Sequence, residues 1–158
     1  MTALLMIMIE INDYISYFPK SENPLSAEVG VIRGKDAAWI FDVGASDEAA
    51  DAVNAINCKK NIILSHFHYD HSANVKRVRY DTLMCGHYAK EKFPSAVAVY
   101  DDLIEYDGVK IHIFPLPSSH AKGCLGLEVN GDEFVFLDFV DEFFDKGRNV
   151  FSVLFVHE

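Results

Sequence analysis

The stretch SHFHYDHS, residues 65–72, places three histidines and an aspartate close together, whereas the other four histidines are scattered along the chain. The apolar segment NIIL, residues 61–64, leads directly into it. A lone His-x-His pair would indicate only a polar strand end. Four potential ligands of these types are instead typical of a zinc, iron or manganese site. The stretch therefore predicts half of a metal centre at the end of a buried strand.

The spacing of these residues predicts how they share the ions. His66 and His68 are separated by one residue, so on an extended segment both side chains point to the same face and can reach one ion. Asp70 is expected to continue that face, while His71 points elsewhere or lies on the turn that follows. Such an arrangement could serve two neighbouring metals, with the first two histidines on one ion. Asp70 and His71 would then hold the other.

A metal centre also needs ligands from other parts of the chain, and two segments offer them. PLPSSHAKGCLGL, residues 115–127, provides His120 after a strand that prolines interrupt. FVFLDF, residues 134–139, provides Asp138 at the end of an apolar strand. A carboxylate at such a position caps or binds something, because burying it without a partner is costly.

Composition and charge limit the remaining possibilities. The chain has 158 residues, half of them hydrophobic, which fits one folded domain over residues 1–158. The formal net charge of −10 disfavours binding to nucleic acid or to an anionic membrane. Three cysteines without a CxxC pair suit a reducing compartment, so the cytoplasm is the expected location. The apolar opening MTALLMIMIEIND is too short to cross a bilayer and is expected to form a buried first strand.

Strand and helix patterns alternate along the chain. Residues 27–44 predict two strands joined by a turn, and residues 46–57 predict a helix capped by its first serine. Residues 73–80 could supply a short helix, and residues 82–86 a further strand. Residues 124–138 form the clearest hairpin pattern, with Asn-Gly as its two-residue turn. This mixture predicts a layered α/β or α+β domain whose sheets are not purely parallel.

The sequence resembles the metallo-β-lactamase-fold hydrolase superfamily. Residues 66–71, HFHYDH, match the H-x-H-x-D-H signature of that superfamily throughout. WIFDVG, residues 39–44, resembles its strand ending in Asp-x-Gly, and PSSHAKGCLGL, residues 117–127, resembles its TPGHTxGS segment. EFVFLDF, residues 133–139, resembles the strand that delivers its bridging aspartate. The matches run in order over about residues 27–140.

The resemblance implies a four-layer αββα sandwich with a metal site at one edge of its two sheets. It implies two ions, most simply zinc, with iron or manganese as alternatives. The implied ligands are His66, His68 and His120 on the first metal, Asp70 and His71 on the second, and Asp138 as the bridge. A hydroxide between the ions would be the nucleophile, and Asp70 would orient it and pass a proton to the leaving group. Asp42, beside the site, would support a ligand as a hydrogen-bond acceptor.

Three departures from the superfamily pattern leave alternatives open. Ser119 stands where the pattern has a glycine, and Leu137 precedes the bridging position, so Asp141 is a second candidate for the bridge. Only twenty residues follow Asp138, which predicts a C-terminally shortened form of the fold. His157 could replace the final ligand of the second metal. If a closing layer is missing, the apolar residues 150–156 need cover, which favours a homo-oligomer.

The sequence thus predicts a metal-dependent hydrolase for a small molecule, an ester, thioester, lactone, amide or phosphoester. One alternative is an iron redox enzyme of the same fold, with a single ion at the positions of His66, His68 and Asp138. Another is a metal-binding protein that has lost catalysis.

Overall fold

The structure is a computed structural model that describes residues 8–116, 121–131 and 134–136. Its strands, in chain order, are β1 (Ile9–Glu10), β2 (Ile15–Phe18), β3 (Ser21–Glu22), β4 (Leu25–Ser26), β5 (Val29–Arg33), β6 (Ala37–Phe41), β7 (Lys59–Ile63), β8 (Thr82–Gly86), β9 (Val97–Val99), β10 (Leu103–Tyr106), β11 (Lys110–Leu116), β12 (Cys124–Val129) and β13 (Phe134–Phe136). The helices are α1 (Asp47–Ala55) and α2 (Tyr69–Ser72), with short 3-10 helices at Ala73–Lys76 and His87–Ala89.

Two sheets carry most of the described chain. The larger has the order β1-β2-β5-β6-β7-β8-β9, and its last four strands run parallel to one another. The second sheet, β10-β11-β12-β13, is antiparallel throughout, and β3 and β4 form a small separate hairpin. Because β6 to β9 are parallel, their carboxyl ends meet at one edge of the large sheet. We call this the carboxyl edge.

The two faces of the large sheet pack against different layers. Along β7, Ile62 packs on the side of α1, whereas Ile63 joins the core shared with the second sheet, as the alternation of a strand requires. Ile113 and Leu125, fully buried, contribute to that core from the second sheet. The described part of the chain is thus a helix–sheet–sheet sandwich, and the predicted fourth layer lies outside the described residues.

Helix α1 begins where the sequence predicts. Ser46 is its N-cap, and the Ser46 Oγ accepts a hydrogen bond of 3.1 Å from the backbone N–H of Ala49. The acidic Asp47 and Glu48 in its first turn complement the helix dipole. In the described ranges no helix combines the length and the hydropathy that crossing a bilayer requires.

The hairpin between β12 and β13 is confirmed, but its predicted two-residue turn is wrong, and so is the expected burial of the first strand where it can be compared. Val129 pairs with Phe134, so four residues rather than two connect β12 and β13. Asn130 and Gly131 begin this connection with φ of 54° and 62°, which both residue types tolerate. By contrast, β1 covers only Ile9 and Glu10, and both are exposed. A short strand at the end of the sheet, paired only with β2, has little to bury it. Residues 1–7 lie outside the described part.

A buried carboxylate fastens the two sheets at the edge opposite the carboxyl edge. Asp107, in the turn between β10 and β11, accepts hydrogen bonds from the backbone N–H of Asp36 (2.8 Å) and Ala37 (3.1 Å). It also accepts one of 2.9 Å from Trp39 Nε1. These bonds hold the pKa of Asp107 below its usual range, although burial acts first and in the opposite direction. We call this group of contacts the Asp107 clamp.

Candidate metal centre

The histidine cluster lies at the carboxyl edge, between the ends of β6 and β7. The backbone N–H of Asp42 donates to the carbonyl of Ile63 (2.9 Å), which places the residue after β6 beside the end of β7. The N–H of Val43 then donates to the carbonyl of His71 (3.0 Å). Asp42 has a φ of 61°, a conformation that non-glycine residues seldom adopt. The backbone here is therefore held by the packing of both strand ends.

The segment that follows β7 is extended only as far as His68, which corrects the prediction that Asp70 continues the same strand face. The short helix α2 begins at Tyr69, and His68 is its N-cap with extended backbone angles. Asp70 therefore lies in the first turn of a helix rather than on a continued strand face. His71 also belongs to α2, as the expected turn allowed. The break follows from the backbone N–H groups of His71 and Ser72, which both donate to the carbonyl of His68 (3.1 Å each).

The structure brings the three clustered imidazoles together. The ring centroids of His66 and His68 are 4.5 Å apart, and those of His66 and His71 are 4.2 Å apart. His66 and His71 are each 1% exposed, whereas His68 is half-buried. The cluster thus has a buried floor and a side that faces outward.

One buried carboxylate organises the floor of the cluster. Asp42 is fully buried and accepts three hydrogen bonds. The backbone N–H of Ser65 donates to Oδ1 (2.7 Å), while the Ser65 hydroxyl (2.6 Å) and His71 Nδ1 (2.7 Å) donate to Oδ2. The expected role of Asp42 as an acceptor beside the cluster matches this geometry. Bonds of this kind to a charged group are short and strong.

The hydrogen bonds around Asp42 determine which ring nitrogen carries the proton in His66 and in His71. His71 donates through Nδ1, so in its neutral form Nε2 carries the lone pair. The Ser65 hydroxyl has a single proton, which it gives to Asp42. It must therefore accept from His66 Nδ1, at 2.9 Å, which leaves the lone pair of His66 on Nε2 as well. Asp42 thus prepares two histidines for a cation, one directly and one through Ser65.

The chemistry of these donors fits a metal ion. Nε2 of His71 lies 3.4 Å from Oδ2 of Asp70, so a lone pair and a carboxylate oxygen face each other. Such a pair is favourable only with a proton or a cation between the two atoms, and 3.4 Å is long for a charge-assisted hydrogen bond. Within residues 8–116, 121–131 and 134–136, however, no three His, Cys, Asp or Glu side chains are placed to hold an ion by themselves. The described residues fit one part of a metal site.

The other predicted ligands, His120 and Asp138, lie outside the described residues, as do the alternatives Asp141 and His157. The segment that follows residues 117–120 is described, and it returns to the carboxyl edge. The backbone N–H of Leu125 donates to the carbonyl of Ser65 (2.8 Å), which places the start of β12 beside the cluster. Gly86 packs against this start so closely that a Cβ there would lie 2.2 Å from the carbonyl oxygen of Gly123.

A further carboxylate near the cluster was not predicted from the sequence. Glu28 is 8% exposed, and within the described part of the chain its Oε2 has no hydrogen-bond partner. Burial raises the pKa of Glu28 to about 7, although Lys20 and His71 nearby act to lower it. In the sequence, the feature that could have indicated a role for Glu28 was its position as a single acidic residue in the apolar run AEVGVI, residues 27–32. Ser65 was also missed, and its signal was its position directly before the first histidine.

Comparisons with known proteins are informative at the level of structure. No protein-family model matches the chain, and no curated protein matches its sequence. Among solved structures, MEM-A1, a subclass B3 metallo-β-lactamase from a soil metagenome library, is similar with a TM-score of 0.64 and 13% identity. The match covers 84% of this chain and 62% of that one.

Two further structures show the same likeness. The metallo-β-lactamase SMB-1 matches with a TM-score of 0.64 and 15% identity over 89% of this chain and 67% of its own. A flavo di-iron protein variant from Thermotoga maritima matches with a TM-score of 0.62 and 14% identity, over 90% of this chain and 46% of its own. This chain thus spans from under half to two thirds of the length of these proteins. Together with the helix–sheet–sheet order and the cluster at the carboxyl edge, these matches show that the chain has the metallo-β-lactamase fold.

Proposed function

We propose that the chain is a metal-dependent hydrolase acting on the ester, thioester, lactone, amide or phosphoester bond of a small molecule. The observation that carries the proposal is the pair of histidines, His66 and His71, whose Nε2 lone pairs are set by one buried carboxylate. A buried imidazole with a purely structural role needs partners for both its N–H group and its lone pair. Two adjacent imidazoles with their Nδ1 groups tied back to Asp42 are instead typical of metal ligands.

The ligands would be His66, His68, Asp70 and His71, with His120 and Asp138 supplied by the segments outside the described residues. Imidazole and carboxylate donors suit zinc best, and iron or manganese next. When bound, such an ion lowers the pKa of a water molecule towards neutrality and polarises the oxygen of the bond to be cleaved.

Asp70 is the residue proposed to move the proton. Its carboxylate is 14% exposed and lies 3.4 Å from His71 Nε2, so it reaches both solvent and the ligand side of the cluster. From that position Oδ2 would accept a proton from the attacking water and deliver it to the leaving group. Asp42 would take no part in that transfer, because its oxygens are already occupied by three donors.

The substrate would approach from the side of α2. His66 and His71 form the buried floor, whereas His68 is half-buried and Tyr69 is 77% exposed. As far as the described residues go, a small molecule could therefore reach the outward side of the cluster without movement of the core. The exposed Tyr69 ring would contact the part of the substrate next to the reacting bond.

The nature of the metal distinguishes hydrolysis from the redox alternative. Metallo-β-lactamases and a flavo di-iron protein both resemble this chain at 13–15% identity, so fold likeness favours neither reaction. Elemental mass spectrometry on protein purified without added metal measures which ion the chain selects. Zinc at one or two ions per chain would support the hydrolase, and iron would support the redox alternative.

Two variants locate the ion. His68→Ala is expected to lose metal, whereas His112→Ala is the matched control. His112 lies in β11, where its Nε2 is 3.1 Å from Asp102 Oδ2, away from the carboxyl edge. Metal retained in His68→Ala, or lost equally in both variants, would contradict the proposed site.

A panel of chromogenic esters, thioesters, lactones, β-lactams and phosphodiesters then tests the reaction. Turnover is expected in the parent for at least one class, with a loss of at least about a hundredfold in Asp70→Asn, as removal of a general acid–base group predicts. If the metal-loaded parent cleaves none of them, the hydrolase proposal is wrong.

A further inference from the structure

Glu28 lies one residue before β5, at the carboxyl edge. Because β5 is antiparallel to β6, the start of β5 lies beside the end of β6, where Asp42 follows. The backbone N–H of Ala27 donates to the carbonyl of Asp70 (2.8 Å), so the chain leading into Glu28 is bonded to the helix that carries the ligands.

The alternation of β5 indicates the face to which Glu28 belongs. Val29 and Val31 pack on the side of α1, whereas Ile32 packs in the core between the sheets. Glu28 has the same parity as Ile32 and therefore shares the face between the sheets. On β7 the same face carries Ile63 and continues to Ser65, whose hydroxyl is bonded to Asp42 and His66.

Glu28 is 8% exposed, and its Oε2 has no hydrogen-bond partner among the described residues, so it can stay ionised at low cost only beside a cation. Burying an acidic group without a partner is costly, so buried charges are paired or bind metal. Among the described residues, Lys20 and His71 are the basic neighbours that act to lower the pKa of Glu28. Lys20 is exposed, so water already satisfies most of its charge. His71 is the buried neighbour, and it is the proposed ligand that faces Asp70.

We propose that Glu28 is a further member of the metal centre, a carboxylate that pairs with the cation held at His71 and so completes its charge balance. This inference rests on the proposed metal-dependent function. It makes Glu28 an outer carboxylate that positions the ion, and it gives a role to an acidic side chain at the start of an apolar strand. Without the metal, Oε2 of this carboxyl group has no hydrogen-bond partner among the described residues, so its ionised form opposes folding.

The test combines two readouts on the full-length chain, and neither is catalytic activity. Zn²⁺ affinity is measured by competition with a chromophoric chelator, and the stability of the metal-free protein by the midpoint of urea unfolding. Glu28→Gln keeps the shape and removes the charge. It is expected to weaken Zn²⁺ binding about tenfold to a hundredfold, as loss of an outer partner of a metal site does. The midpoint of the metal-free variant is expected to equal or exceed that of the parent.

Lys20→Met is the matched control. If Lys20 were the true partner of Glu28, this variant would weaken Zn²⁺ binding as Glu28→Gln does, and the proposal would be overturned. Equal Zn²⁺ affinity in Glu28→Gln and the parent would also overturn it, while leaving the metal-dependent function intact. A parent that binds no Zn²⁺ would overturn both. Should Glu28→Gln not fold, Glu28→Leu is judged by the same two readouts.

Discussion

Replacing Asp42 with asparagine should damage both the fold and the proposed metal site. Asparagine keeps one acceptor oxygen but puts an NH₂ group where Oδ2 now receives the Ser65 hydroxyl and His71 Nδ1. Two bonds to a charged acceptor are lost at a site that is fully buried. At about 1.5 kcal/mol or more for each such bond, the free energy of unfolding should fall by about 3 kcal/mol or more.

The same change should invert the tautomer of His71. The new NH₂ group can only donate, so His71 Nδ1 would accept and its proton would move to Nε2. The lone pair then no longer faces the ion, and Zn²⁺ affinity should fall by about tenfold to a hundredfold.

The assay is urea unfolding of the metal-free protein together with Zn²⁺ competition. Asp47→Asn is the control, because Asp47 is 81% exposed and its pair with Arg77 lies at the surface. That control should change stability by less than about 0.5 kcal/mol. If Asp42→Asn matched the control in both readouts, the assignment of Asp42 as the organiser of the cluster would be refuted.

Three more outcomes follow from described contacts. Since burial raises the folded pKa of Glu28 from 4.5 to about 7, the metal-free protein should lose about 3 kcal/mol of stability as the pH rises from 4.5 through 7. Glu28→Gln should remove that slope in urea midpoints measured at pH 5 and pH 8. Gly86→Ala would place its Cβ 2.2 Å from the backbone oxygen of Gly123, so it should cost about 1–3 kcal/mol in thermal unfolding, and an unchanged Tm would contradict this packing. Asp107→Asn weakens the Asp107 clamp, so it should destabilise the fold by about 2 kcal/mol. It should also shift the fluorescence emission of Trp39, the single tryptophan, and unchanged emission would argue against the bond from Trp39 Nε1 to Asp107.

The sequence was informative where the pattern was local. Apolar strands that end in Asp or His place those residues at a strand end, and parallel strands bring such ends to one edge. The sequence predicted the histidine cluster at the end of a buried strand, and the family resemblance placed Asp42 beside it; in the structure Asp42 Oδ2 and His71 Nδ1 are 2.7 Å apart. The sequence also predicted α1 from Ser46 and the hairpin at Asn130, since caps and turns depend on neighbouring residues, although the connection has four residues rather than two.

Two of the features that were missed depended on contacts between distant segments, and a third depended on local backbone hydrogen bonds. Ser65 looked like one more polar residue, because its role requires Asp42, twenty-three positions earlier, to be its partner. Glu28 gained its burial from strands that the spacing of its own segment does not specify. The change from strand to helix at Tyr69 was missed because two N–H groups compete for the His68 carbonyl, which side-chain periodicity does not reveal. Roles for His120 and Asp138 stay predictions.

The hydrogen bonds that Asp42 accepts also have a consequence for the order of folding. The bonds from Ser65 and His71 to Asp42 close loops of 23 and 29 residues, whereas the Asp107 clamp closes loops of 68 to 71 residues. Since longer loops cost more entropy to close, we expect the histidine cluster to be organised before the second sheet is fastened. Pulse-labelling hydrogen exchange should then protect the Ser65 amide earlier than the Ala37 amide. A cation captured at that early stage would act as a template on which β12 docks, so zinc should accelerate the later phase of refolding rather than the first.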